Sequence, residues 1–111
     1  MTAPLKIWLD DVRRPPEGWT WAQTHGEAIE LLESGEAAAI SLDHDLGDQA
    51  PDGRERTGYD VLLHIVQRFM DDLPIPQEVY VHSANPVGVA RMEGVIARYL
   101  VPAGIRTNAS P

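Results

Sequence analysis

The chain of 111 residues has no cysteine, which excludes disulfide bridges and metal sites built on thiolates. Positive charge is also scarce, because 9 lysine and arginine residues face 17 acidic ones and the net charge is -8. This balance argues against non-specific binding to DNA or RNA, whose backbones attract clustered basic side chains. No apolar stretch has the length of a membrane span. We therefore expect a cytoplasmic protein without a membrane partner, with one domain large enough to bury a core.

Polar side chains follow three apolar, strand-like stretches of the sequence. The stretches are Leu5–Leu9, Ala37–Asp43 and Glu78–Val81, and the groups at their ends are Asp10, Asp11, Asp43, His44, Asp45, His82 and Ser83. In an open α/β sheet, ligands bind beside the carboxyl ends of the strands. Carboxylates, imidazoles and a hydroxyl that meet at one edge indicate a functional site more strongly than three unrelated surface features would.

The remaining pattern alternates short strands with helices. Residues 19–22 predict a second strand, and the prolines and glycine of residues 13–18 leave no helix before it. Capping residues predict helices that begin after Thr24, Thr57 and Asn85 and that end near residue 35, before residue 74 and about residue 100. Apolar residues recur at helical spacing in each of these segments.

The order of the elements predicts a three-layer α/β domain around a mainly parallel sheet of four to five strands. We place this domain at residues 1–101. Residues 102–111 form a small, polar tail in which residues 104–107 could add a short strand. Residues 45–56, which contain glycine, proline and several charges, predict an exposed and mobile loop.

Carboxylate oxygens are the ligands that suit a hard divalent cation, Mg²⁺ or Mn²⁺. The candidate ligands are Asp10, Asp11 and Asp43, with Asp45 as an additional candidate. Magnesium typically takes one or two carboxylates, keeps several waters and completes its shell with phosphate oxygens. Without a cation, close carboxylates repel one another and one of them tends to hold a proton. The alternative is that these acids only cap strand ends and helix N-termini in water.

Ser83, Ala84 and Asn85 precede the third predicted helix, where free backbone donors and a hydroxyl make a site for an anion. A phosphoryl group would then lie between this helix start and a carboxylate-bound cation. Asn85 is in any case an ordinary helix cap. Arg54 and Arg56 on the predicted loop could close over a phosphate as a lid, because guanidinium groups match phosphate oxygens. The alternative is that both arginines are solvated loop charges.

His44 and His82 lie beside the predicted metal and anion positions, and histidine transfers protons readily near neutral pH. Neighbouring residues of a strand point to opposite faces, so the two histidines would point away if Asp43 and Ser83 face the site. A catalytic role and a structural role are therefore both open for them, as is a hydrogen bond between the two imidazoles.

These residues together resemble a receiver domain of the two-component response-regulator type, over most of the chain up to about residue 100. The pattern comprises the acidic pair after the first strand, Asp43 at the phosphoacceptor position, Thr-Gly-Tyr-Asp-Val-Leu-Leu from Thr57, and Ser83 at the hydroxyl position. The resemblance implies a flavodoxin-like fold in which the acids bind magnesium and the central aspartate accepts a phosphoryl group.

Two features depart from the receiver pattern. No room for the first receiver helix remains between Asp11 and Trp19, and no lysine stands where that family completes its phosphorylation site. The only lysine, Lys6, lies inside the first strand. Arg106 is a poor replacement, because arginine is a planar fork and lysine a point charge.

Three stretches are more similar to a divergent branch of these domains, the cyclic-phosphate processing receiver-like domains. They are Trp-Leu-Asp-Asp-Val-Arg from Trp8, Ser-Leu-Asp-His-Asp-Leu-Gly from Ser41 and Val-His-Ser-Ala-Asn-Pro from Val81. The name of the branch implies action on a cyclic phosphate, carried by a nucleotide or an RNA end.

The leading functional hypothesis is a small metal-dependent phosphoesterase for cyclic phosphates. The acids would hold the cation, Ser83 and the helix start would hold a phosphoryl oxygen, and His44 or His82 would move protons. The receiver resemblance implies instead that Asp43 is a nucleophile that forms an acyl-phosphate. The alternatives are a phosphoacceptor regulator and a non-catalytic module. Such a module would recognise a phosphorylated ligand or partner without turnover. For the protein as a whole, the expected partner is a phosphorylated small molecule or an RNA end, and a protein partner in a nucleotide-processing or signalling system could be added.

Overall fold

The computed structural model describes residues 3–108. In chain order the elements are β1 (Leu5–Leu9), β2 (Thr20–Ala22), α1 (His25–Glu33), β3 (Ala37–Leu42), β4 (Asp45–Gln49), β5 (Glu55–Thr57), α2 (Gly58–Met70), β6 (Glu78–Val81) and α3 (Pro86–Val95), with a π-helical turn at Ile96–Leu100. Four strands form a parallel sheet in the order β2-β1-β3-β6. The predicted α/β fold with a mainly parallel sheet is confirmed. Within residues 3–108, no helix combines the length and the apolar character of a membrane span.

The hydrophobic core lies between the helices and one face of the sheet. Ile7 and Leu9 of β1 lie in register with Ile40 and Leu42 of β3, and all four are fully buried. They pack with apolar residues of the three α-helices, among them Ala28, Leu32, Val61, Leu62, Ile65 and Met92. A slip of one residue would turn these strand side chains to the other face, so the register also fixes where Asp43 leaves the sheet.

β2 is parallel to β1 although residues 10–19 between them contain no helix. Parallel neighbours usually need a crossover of a dozen or more residues. Here the carbonyl of Pro16 accepts the N–H of Trp19 at 3.2 Å, and Gly18 adopts a φ of 89°. This tight turn lets the chain reverse in a short distance. The prediction that no helix precedes the second strand is confirmed.

Each helix begins at the capping residue that the sequence predicts. Thr24 Oγ1 and Asn85 Oδ1 each accept the backbone N–H three residues later, at 3.1 and 3.0 Å. Thr57 and Asp60 form a capping box, in which the Asp60 carboxylate accepts the N–H of Thr57 at 2.9 Å. These caps satisfy backbone donors that the first turn of a helix leaves without partners.

Residues 45–56, for which the sequence predicts a mobile loop, form most of an antiparallel hairpin of β4 and β5. The prediction of irregular structure is therefore wrong. Gly53 adopts a φ of 83° in the turn and donates its N–H to the carbonyl of Ala50 at 2.8 Å. The strands carry mostly polar side chains, and only Leu46 among residues 45–57 is buried. The alternation of apolar and polar residues that predicts a half-buried strand is therefore missing from this part of the sequence.

The C-terminal tail returns to the sheet beside β6. Arg106 forms a parallel bridge with Glu78, and the N–H of Val79 donates to the Arg106 carbonyl at 2.8 Å. The side chain of Asn108 accepts the N–H of Val81 at 3.0 Å and donates to its carbonyl at 2.9 Å. Where the sequence allows a short strand at residues 104–107, the structure has a single bridge. Residues 109–111 of the predicted tail lie outside the described residues.

Gly58, the first residue of α2, contacts the end of β3 too closely to carry a side chain. A Cβ at this position would lie 1.7 Å from the carbonyl oxygen of Asp43. We expect Gly58→Ala to lower the free energy of unfolding by about 2 kcal/mol or more, because backbone must move to relieve the overlap. Urea denaturation followed by tryptophan fluorescence measures the change.

Gly94→Ala is the matched control for this substitution. Gly94 lies within α3, and a Cβ there would meet no other atom within 4 Å. Alanine favours the helix over glycine, so we expect this variant to be more stable by about 0.5–1 kcal/mol. Equal stability of the two variants would contradict the tight contact assigned to Gly58.

Candidate metal and phosphate site

Asp10 follows β1 and is 1% exposed. Its Oδ1 accepts the backbone N–H groups of Val12 and Arg13 at 2.9 and 2.8 Å, which turns the chain directly after the strand. Its Oδ2 lies 3.1 Å from Nε2 of His82, which follows β6. Three donors therefore bind a carboxylate that would otherwise be costly to bury.

The carboxylates of Asp10, Asp11 and Asp43 converge at the carboxyl end of the sheet. One oxygen from each lies within 4.8 Å of the other two. The ends of β1 and β3 meet because these strands are neighbours, and the N–H of Asp43 donates to the carbonyl of Leu9 at 2.9 Å. Three of the four predicted metal residues thus come together, and Asp45 is not part of this acidic cluster.

The acidic cluster could hold a metal ion, since hard divalent cations such as Mg²⁺ and Mn²⁺ prefer carboxylate oxygens. Burial raises the pKa of Asp43 above its ordinary value of 3.8, and the charge of Asp10 raises it further. Hydrogen bonds from Ser83 and from the backbone of His44 act in the opposite direction. A bound cation would offset the repulsion between the acids, so the donor set fits such an ion.

The acidic cluster lines a cavity of about 370 Å³. The lining residues are Asp10, Asp11, Val12, Arg13, Asp43, Asp45, Ser83, Ala84 and Asn85. The predicted metal residues and the predicted phosphate residues 83–85 therefore share one cavity. Val12 and Arg13 were missed by reasoning from residue types, although both belong to the Trp-Leu-Asp-Asp-Val-Arg stretch on which the family resemblance depends.

The start of α3 brings polar groups to the same cavity. Ser83 Oγ accepts the N–H of Asn85 at 3.2 Å, and the Ser83 hydroxyl also hydrogen-bonds the carboxylate of Asp43. Asn85 caps α3 with Oδ1, and its Nδ2 lies 3.2 Å from Oδ2 of Asp45. The Ser83 hydroxyl and the residues that precede α3 therefore lie beside the acidic cluster.

Asp45 is exposed and contacts His44 instead of joining the acidic cluster. The hydrogen bond between Asp45 Oδ1 and His44 Nδ1, 2.9 Å long, lowers the pKa of Asp45 below 3.8, and Asn85 adds a smaller effect in the same direction. The His44 ring packs against α3, because a Cβ on Gly88 would come within 2.5 Å of its Cγ. His44 does not line the cavity.

His82 is held by three neighbouring side chains. Its ring stacks on Trp8, with 3.7 Å between ring centres and 9° between ring planes. Its Nδ1 lies 2.6 Å from Ser41 Oγ, and its Nε2 contacts Asp10. Burial lowers the pKa of His82, although the carboxylate of Asp10 acts in the opposite direction. Both ring nitrogens are engaged, so His82 makes no bond to the other histidine of the site and does not line the cavity.

Arg54 and Arg56, predicted to close over a phosphate, line a different cavity. It measures about 710 Å³, and its lining residues are His25, Gly26, Ile29, Glu30, Arg54, Arg56, Asp60, Leu63 and His64. None of the three clustered acids belongs to it. Because residues 45–56 fold into a hairpin rather than a free loop, the structure does not bring these arginines to Asp43.

We expect Asp43→Asn to raise the melting temperature of the metal-free protein at about pH 7. The folded-state pKa of Asp43 lies above its unfolded value of 3.8, so the ionised carboxylate destabilises the fold at neutral pH. Well below pH 3.8, Asp43 is protonated in both the folded and the unfolded protein, so the gain in melting temperature should disappear. Saturating MgCl₂ should also remove it, because the ion stabilises the wild type more. Differential scanning fluorimetry across pH and MgCl₂ measures these changes.

Asp45→Asn is the matched control, and its effect should have the opposite sign. The pKa of Asp45 lies below 3.8, so its charge contributes stability at neutral pH that is lost as pH falls through the folded-state pKa. The side chain is 57% exposed, so we expect a loss of at most about 1 kcal/mol. A higher melting temperature in both variants, or in neither, would contradict the conclusion that only the carboxylates of the acidic cluster repel one another.

Residues 5–98 match the model of a family described as the cyclic-phosphate processing receiver domain. The matched range covers most of the chain and includes the acidic cluster, Ser83 and the start of α3. No curated protein and no solved structure matches the chain significantly. The fold, the position of the acids and this match agree with the resemblance found in the sequence, and the chain belongs to the family of cyclic-phosphate processing receiver domains.

Proposed function

We propose that this protein is a metal-dependent phosphoesterase that hydrolyses a cyclic phosphate carried by a nucleotide or an RNA end. The observation that carries the proposal is the convergence of three carboxylate oxygens within 4.8 Å, in a cavity shared with Ser83 and the start of α3. Oxygen ligands that suit a cation and polar groups that suit an anion thus adjoin in one cavity of a domain from a family named for cyclic-phosphate processing.

The acids Asp10, Asp11 and Asp43 would hold Mg²⁺ or Mn²⁺. Such an ion, when bound, stabilises negative charge on phosphoryl oxygens and makes a water molecule more acidic. Ser83 and the backbone N–H of Ala84, which both belong to residues that line the cavity, would bind a further phosphoryl oxygen. Asp10 would be a metal ligand with a fixed orientation, because three hydrogen bonds already hold its carboxylate.

Asp43 has the chemistry of a proton acceptor. Its Oδ1 accepts the N–H of His44 at 2.8 Å, and the carboxylate oxygen that does not hold the cation would take a proton from the attacking water. The water oxygen bonds to phosphorus, one ring P–O bond breaks, and the sugar oxygen that leaves receives the proton that Asp43 took from the water. The product is a phosphomonoester.

The receiver resemblance offers a second version of this chemistry. Asp43 would itself attack phosphorus and one ring P–O bond would break, so that the ring-opened substrate stays bound to Asp43 through an acyl-phosphate ester that water then hydrolyses. A mass gain at Asp43 equal to the whole ring-opened substrate during turnover distinguishes this version from direct attack by water. The proton-transfer roles of His44 and His82 stay predictions, and their hydrogen bonds to Asp45 and Asp10 support positioning instead.

A non-catalytic module that binds a phosphorylated ligand is the second candidate. The observation that favours it is the composition of the cavity lining, which contains neither a histidine nor a lysine among the described residues. Imidazole is the side chain best suited to move protons near neutral pH. A cavity without one can hold a phosphate and a cation but depends on a carboxylate for acid and base chemistry.

We expect the wild-type protein with Mg²⁺ or Mn²⁺ to hydrolyse at least one substrate from a panel of 2',3'-cyclic nucleotides, 3',5'-cyclic nucleotides and RNA with a cyclic-phosphate end. Asp43→Asn should lower kcat/KM by about a hundredfold or more, because it removes both a metal ligand and the proton acceptor. Chelation with EDTA should abolish turnover. Release of phosphomonoester, followed by chromatography, measures the rates.

Asp71→Asn is the control for the change of charge. Asp71 is exposed at the end of α2 and does not line the acidic cavity, so its variant should keep wild-type rates. An Asp43→Asn protein with full activity would disprove both versions of the mechanism. Magnesium binding without turnover of any substrate in the panel would favour the binding module.

A further inference from the structure

The acidic cavity presents an electrostatic problem for the anionic substrate of the proposed function, on which this inference rests. Four carboxylates line it, those of Asp10, Asp11, Asp43 and Asp45, and one divalent cation offsets two of these charges. A phosphodiester would therefore still meet net negative charge at the entrance. Its binding calls for a positive side chain within reach of the phosphoryl oxygens.

Most of the 9 basic residues lie elsewhere. Lys6 lies over a tryptophan ring, and Arg68 forms an ion pair with a glutamate at 3.0 Å. Arg106 forms a backbone bridge with the first residue of β6, and Ser83 follows the last residue of that strand. Arg106 therefore lies at the end of β6 that is opposite to the acidic cavity. The other basic residues outside the acidic cavity are Arg14, Arg54, Arg56, Arg91 and Arg98. Among residues 3–108, which include every basic residue, Arg13 is the only basic residue in the cavity lining. Burial lowers the pKa of the His82 imidazole, and the charge of Arg13 is close enough to lower it further.

The backbone of Arg13 is fixed on both sides. Its N–H donates to Oδ1 of Asp10 at 2.8 Å, and its carbonyl accepts the indole N–H of Trp8 at 3.0 Å. Trp8 stacks on His82, and His82 in turn contacts Asp10, so these contacts form a closed ring. The guanidinium group itself makes no ion pair within residues 3–108, and it is free to contact a ligand.

We infer that Arg13 binds the phosphoryl oxygens of the ligand in the acidic cavity. Its guanidinium stays positive at all relevant pH values, and its planar fork donates two parallel hydrogen bonds to a phosphate. Arg13 thereby takes the phosphate-binding role that the sequence suggests for Arg54 and Arg56, which line the other cavity. The ring of contacts fixes the backbone from which this side chain extends, directly beside Asp10.

The test compares Arg13→Gln with Arg14→Gln, which removes the same charge from an exposed neighbour outside the cavity. Calorimetric titration with inorganic phosphate in saturating MgCl₂ gives the Kd of each variant. We expect Kd to rise about tenfold or more for Arg13→Gln and at most about twofold for Arg14→Gln, because a charge-assisted hydrogen bond outweighs a screened, distant charge. Arg13→Lys should recover part of the affinity, since it keeps the charge but not the fork.

Titration with MgCl₂ alone separates a phosphate contact from damage to the acidic cluster. Arg13→Gln should bind Mg²⁺ at least as tightly as the wild type, because a positive charge beside the acids is removed. Three results would overturn the inference: equal phosphate Kd values for the two glutamine variants, no phosphate binding by the wild type, or joint loss of magnesium and phosphate binding in Arg13→Gln. Turnover of cyclic substrates by the wild type tests the proposed function separately, so either can fail alone.

Discussion

The buried charge of Asp10 is the constraint on which the rest of the site depends. Removing a carboxylate from water is costly unless other donors replace the water. Here the backbone after β1 and the imidazole of His82 supply them. The same hydrogen bonds join the ends of β1 and β6, which are not neighbours because β3 lies between them. One carboxylate thus connects the loop, two strand ends and the acidic cluster.

Two glycines allow the helices to approach this edge of the sheet. Gly58 lies against the carbonyl of Asp43 and donates its N–H to the carbonyl of His44 at 2.9 Å, while Gly88 lies against the His44 ring. The segment from Asp43 to Asp45 is therefore held between the starts of α2 and α3. Such close packing limits the directions that the Asp43 carboxylate can take, which is what a site for a cation and a phosphate requires.

Local rules predicted the features that depend on nearby residues. Caps such as Asn85 act within one helical turn, and the meeting of Asp10 and Asp43 follows from the parallel order of strands. The hairpin and the location of Arg56 depend on how polar strands pack against distant helices, for which the sequence carries no periodic signal. The contact of His82 with Asp10 joins residues 72 positions apart, and no local pattern encodes it.

The stack of Trp8 on His82 connects an indole ring to the acidic cluster, because His82 is hydrogen-bonded to Asp10. Imidazolium quenches indole emission on contact much more strongly than neutral imidazole does, and the two rings lie 3.7 Å apart. The proton affinity of His82 depends on the charge of Asp10, to which it is hydrogen-bonded. A cation bound at Asp10 would act on the carboxylate that shares this hydrogen bond with the imidazole. Tryptophan emission is therefore the readout that we expect to follow the charge at the acidic cluster.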